Sequence, residues 1–125
     1  MSKSAFSLRV FSIYMFTLGS ILVIAPNLML SLFGVPETQE VWIRVVGMLV
    51  LNIGFLDFMA SRNELRDFFR WSVPVRLAVP VFFVAFVAMG FAPPVLLLFG
   101  AIDAVAAIWT AICLRADRLA QPGAA

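Results

Sequence analysis

Residues 41–60 read VWIRVVGMLVLNIGFLDFMA. Twenty residues of this composition in one run are as long as the ~20 needed to cross a ~30 Å hydrocarbon core. The run is continuous and does not alternate polar with apolar, so it excludes a barrel strand of about ten residues. In lipid such a segment has to satisfy its own backbone, and only a helix does so. Working outward, three more runs of the same kind lie at about residues 6–25, 73–91 and 95–114. The expected fold is therefore an all-α membrane protein, a four-transmembrane-helix bundle. The expected domain is a single integral membrane unit over residues 1–125, with 115–125 as a polar tail.

Composition agrees. The chain has 125 residues, 63% apolar, with 9 Lys and Arg against 7 Asp and Glu. A soluble domain is nearer half apolar and a quarter charged, and a chain this short cannot hide so much apolar surface in one core. The first run is longer than the apolar core of a signal peptide and lacks a small-x-small cleavage site before a polar domain, so it reads as a retained helix. Cys113 is alone and excludes an intrachain disulfide. The chain has no His. Zinc, haem and iron–sulfur chemistry and His-based triads lose their usual ligands and bases. No cofactor and no metal are expected, and the small net charge gives no reason to expect nucleic acid.

The breaks between the spans carry turn chemistry. Pro26, Gly34 and Pro36 interrupt the path between the first two, and residues 27–33 suit one or two interfacial turns. Thr38 is placed to cap the second helix, with Glu40 in its first turn. Pro93 and Pro94 are placed to open the fourth helix, and Pro80 to kink the third. Lys3, Arg9, Arg62, Arg66, Arg70, Arg76, Arg115 and Arg118 fall at one side of the spans. The positive-inside rule then puts both termini and the 62–76 segment in the cytoplasm, in a bacterial inner membrane. Arg62, Arg66 and Arg70 are four apart beside Phe68, Phe69 and Trp71. That pattern reads as an interfacial basic segment, either a plain anchor or a binder of anionic headgroups.

Residues 8–33 laid over 75–100 align Arg9 with Arg76, Ala25-Pro26 with Ala92-Pro93, and bring Leu-Phe-Gly at 32–34 near Leu-Phe-Gly at 98–100. Two parallel helix-hairpin repeats are one reading of that match, with a two-fold axis along the membrane normal. At a shorter offset Arg44 and Asp103 correspond. Asp103 lies nine residues, about 13.5 Å, beyond Pro94. A carboxylate there costs about 2.5–3.5 kcal/mol on insertion and needs a cation or a proton. Arg44 is the expected partner, because Gly47 and Gly54 on its helix and Gly100 and Ala107 on the other permit close approach. The pair reads either as a structural lock or as a ligand or proton site. Asp57, Arg9 and Arg76 form a secondary cluster towards the cytoplasmic side.

The stretches GSILVIAPNLMLSLFGV and WIRVVGMLVLNIGFLDFMASR resemble small bacterial four-helix membrane proteins of the DoxX-like kind and related families of unknown function. The residues that carry the likeness are Ala25, Pro26, Leu32, Phe33, Gly34, Arg44, Gly47 and Gly54. The resemblance implies a four-helix bundle, and an acidic residue in helix four that Asp103 fits, but no defined reaction. Small multidrug transporters share the length and helix number, yet their first-helix glutamate has no counterpart here. The functional expectation is a non-catalytic accessory, assembly or structural subunit, in contact with membrane lipids and with a larger membrane complex or further copies of itself. The alternative is a small transporter or a lipophilic-ligand or proton-binding bundle using Arg44 and Asp103. An enzyme would have to rely on Asp103, Asp57 or Arg44 alone.

Overall fold

A computed structural model describes residues 1–120. These are all-α: α1 Lys3–Ile24, the short α2 Pro26–Leu32, α3 Trp42–Arg62, α4 Arg66–Ala88 and α5 Leu96–Ala120. The four long helices are each apolar and long enough to cross a membrane, which fits an integral membrane protein. Residues 27–33 form helical turns as expected, with Pro26 opening α2 at a position where its missing N–H costs little.

Several boundaries move. The third span was expected from about residue 73, but α4 starts at Arg66. The segment 62–71 is thus divided between two helices. Arg62 closes α3, and Arg66 and Arg70 lie in the first two turns of α4. Pro74 and Pro80 both sit inside an unbroken α4. Pro93 and Pro94 do not open α5 directly. Their carbonyls accept the amides of Leu96 and Leu97 in turns that precede it. Residues 115–120, expected as tail, continue α5; residues 121–125 lie outside the described residues.

Thr38 is not a helix cap either. Its amide donates to Asn27 Oδ1 (2.9 Å), and its carbonyl accepts from Asn27 Nδ2 (3.1 Å). This two-way clamp ties the loop back onto the start of α2. Its hydroxyl accepts the Glu40 amide at 3.2 Å. The two Leu-Phe-Gly runs differ as well. Gly34 ends α2 at φ 70°, whereas Gly100 is buried within α5.

Three of the helices end in the same way. The amides of Val35, Leu65 and Phe91 each reach back to the carbonyl five residues earlier, those of Leu30, Ala60 and Phe86. That is the Schellman bond pattern, which demands one left-handed residue. Gly34 and Gly90 supply it in two cases, and Glu64 (φ 53°) in the third.

The described chain forms two compact units. One is Arg9–Met59, in which α1 and α3 pack closely. A side chain at Gly47 would put its Cβ 2.8 Å from Leu22 Cβ and 2.9 Å from the Val23 amide nitrogen, and at Gly54 3.0 Å from Met15 Cβ. The spacing of seven brings both onto one face, so their helix-packing role is met. The other unit is Met1–Leu8 with the chain from Ala60 on. Its core is Ala5, Leu8, Ala60 and Phe69, flanked by Phe68 and Leu114. In it α4 and α5 run antiparallel and touch where Gly100 faces Pro80, 3.1 Å from a Cβ to the Pro80 Cα.

Candidate functional site

Arg44 lies in the first turn of α3, with its side chain exposed. Its guanidinium donates to the Val23 carbonyl and, at 3.4 Å, to that of Ile24. These are the last two residues of α1. A helix end leaves its final carbonyls without helical partners, and Pro26 brings no N–H of its own to help. A cation there also meets the negative end of the helix dipole. Gly47, one turn further on, is what lets the α1 end come near enough. The Ala-Pro and Arg-x-x-Gly elements of the sequence are therefore two halves of one helix-end cap.

Asp103 sits in α5, seven residues or about 10.5 Å from its first residue, and is half-buried. The antiparallel contact of Gly100 with Pro80 dictates its neighbour. One turn back from Pro80 on α4 is Arg76, and its positive charge acts on the Asp103 carboxylate. Arg76 is buried, 5% exposed. It donates from Nε to the Ser72 carbonyl (3.4 Å) and from a terminal nitrogen to the Ser72 hydroxyl (3.2 Å). Within this unit the cation facing Asp103 is thus Arg76.

Asp57 is buried in α3, 4% exposed. Arg9 lies with its guanidinium carbon 5.0 Å from the centre of the Phe58 ring, a cation–π contact next along the chain from Asp57. Arg62 is exposed at the end of α3. Arg66 and Arg70 line a groove of about 320 Å³ with Arg115 and Arg118. Arg70 also pairs with Asp67 at 3.6 Å, both exposed.

The most developed polar cluster is one the sequence reading did not single out. It gathers at the start of α1. The Ser2 hydroxyl accepts the Ala5 amide (3.1 Å), which makes Ser2 the N-cap. The amides of Lys3 and Ser4 donate to the two oxygens of Asp117 (3.2 and 3.0 Å), and the Ser4 hydroxyl adds a 2.6 Å bond. The Ser2 amide and hydroxyl donate to the two oxygens of Glu64 (2.8 and 2.6 Å). Two carboxylates thus face the positive end of the α1 dipole, where anions belong. Burial pushes the Glu64 carboxyl up, but the two Ser2 bonds outweigh it and hold it below the usual glutamate range. Deeper in, Ser7 and Thr110, both buried, share a 2.9 Å hydrogen bond. The signal in the sequence was the pair Ser2 and Ser4 at the head of the first span. Their acceptors lie 62 and 113 residues away, beyond the reach of any local pattern.

Among the described residues no group of three His, Cys, Asp or Glu gathers to hold a metal ion. Comparison with protein-family models, curated proteins and solved structures gives no match.

Proposed function

We propose that this chain is a non-catalytic accessory or structural subunit of a bacterial inner membrane, with both termini cytoplasmic. The observation that carries the reading is how its polar groups are employed. Glu64 and Asp117 accept the amides at the start of α1, Arg44 donates to the carbonyls at its end, and Arg76 is bound to its own helix at Ser72. Three of these four side chains thus hold helix ends, and the fourth, Arg76, is tied within its own helix. The likeness of residues 19–62 to DoxX-like proteins belongs to the same reading.

The experiment is purification of the tagged chain from its native membranes in mild detergent. The reading expects a stoichiometric membrane partner, or a defined homo-oligomer, that survives size-exclusion chromatography. Recovery of a lone 13.8 kDa chain contradicts it.

A second reading has one observation in its favour. Asp103 is a half-buried carboxylate inside a spanning helix, under the charge of a buried arginine. Intramembrane acids of this kind serve proton or ligand handling by default. In this alternative, a small transporter or lipophilic-ligand bundle, Arg76 joins or replaces Arg44 as the partner of Asp103. Proton flux in liposomes that Asp103→Asn abolishes, with helicity kept, supports this alternative over the first.

A further inference from the structure

We propose that the groove between the beginning of α4 and the end of α5 binds the headgroup of an anionic phospholipid. The groove is lined by Arg66, Arg70, Val73, Pro74, Ala111, Leu114, Arg115 and Arg118, and holds about 320 Å³. Its order is what identifies the ligand. Along α4 the arginines 66 and 70 come first and the apolar pair 73 and 74 follows, deeper along the helix. Along antiparallel α5 the arginines 118 and 115 are outermost, and 114 and 111 lie further in. Both walls therefore present guanidinium at one level and hydrocarbon at the next. A phosphodiester with an acyl chain beneath it has that profile. A soluble anion has no use for the apolar floor.

The charges point the same way. Guanidinium groups bind phosphate in forked pairs, and arginine is favoured wherever that geometry matters. Arg66 stands in the first turn of α4, the positive end of the helix dipole, where a cation is unfavourable for the helix itself. Leu65, the cap residue of α4, offers no side-chain bond to the first amides, and Asp67 is the one acid in that first turn. Asp67 is paired with Arg70 from outside the groove lining, and Arg66 also acts on Asp117. Asp117 is already bound to the amides of Lys3 and Ser4. Four guanidiniums against these two acids leave a net positive site. The proposal rests on the chain being an integral membrane protein and not on its accessory role.

The test is native mass spectrometry of the full chain, released from nanodiscs of equal phosphatidylglycerol and phosphatidylcholine. The expected result is at least tenfold enrichment of retained phosphatidylglycerol. Arg115→Gln should lower it about fivefold, near the effect of one basic residue at a membrane surface. The joint Arg66→Gln, Arg70→Gln, Arg115→Gln and Arg118→Gln variant should abolish the preference, whereas Arg62→Gln should leave it intact. Asp67→Asn should raise it, and this variant with Arg115→Gln decides the matter if the quadruple variant does not fold. Equal retention of the two lipids, or no response to Asp67→Asn and Arg115→Gln, overturns the proposal. Displacement of the lipid by millimolar inorganic phosphate also overturns it, in favour of a free phosphate ligand. Failure of the membrane reading looks different: the chain would then be released from membranes by alkaline carbonate.

Discussion

Glu64 occupies a backbone position that two other helix ends fill with glycine. A non-glycine residue held there costs of order 1 kcal/mol or more. The compensation is its carboxylate, which takes both the amide and the hydroxyl of Ser2. The two effects separate by mutation. Glu64→Ala keeps the strained backbone and loses the bonds, so it should lower the unfolding free energy by about 1–2 kcal/mol. Glu64→Gly loses the bonds but removes the strain, and should be the more stable of the two by about 1 kcal/mol, read from SDS-induced loss of helicity. The pH dependence has a fixed sign. Because its folded pKa lies below the ordinary 4.5, the Glu64 contribution is complete above that value. It is lost as pH falls through the lower folded value, and Glu64→Gln should flatten that part of the profile. None of this was visible in the sequence, where Glu64 is one acid between Arg62 and Arg66. Arg44 was visible as an unusual charge, but its partners proved to be main-chain carbonyls, which leave no trace in side-chain patterns.

At the level of helices, the apolar runs were readable because hydrocarbon thickness sets their length. Their ends were less so. The sequence of α4 turns apolar near residue 73, yet the helix begins at Arg66, since backbone bonding continues into the polar zone where the hydropathy signal stops. The packing glycines were legible from their spacing of seven, and the structure adds what they face. Gly47 and Gly34 make a useful contrast. Alanine at Gly47 meets the Leu22 Cβ at 2.8 Å and main chain at 2.9 Å, so α1 and α3 must part. A cost of about 1–3 kcal/mol is expected, together with weakened Arg44 capping. Alanine at Gly34 meets nothing within 4 Å and costs only its left-handed backbone, about 1 kcal/mol. Thermal unfolding in detergent should rank Gly47→Ala below Gly34→Ala. The reverse order would contradict the close approach.

For the whole molecule, orientation and architecture are separate claims with separate tests. On a Cys113→Ser background, Val35→Cys and Asn63→Cys place single thiols in the first and second inter-span turns. Proposed cytoplasmic termini require an impermeant maleimide to label position 35 in intact cells and position 63 only after lysis. The opposite pattern inverts the topology. The architectural claim is that polar groups at the start of α1 are structural: Asp117 of α5 and Glu64 after α3 hold that helix by its free amides. Its most direct test is a double-mutant cycle of Ser4→Ala and Asp117→Ala, scored in lipid bicelles by unfolding free energy and by assembly state together. The account predicts that each single change costs about 1–3 kcal/mol, that the pair couples by about 1 kcal/mol or more, and that the folded fraction assembles as before. Unchanged stability with assembly lost would contradict it, and would make Asp117 a contact for a partner instead.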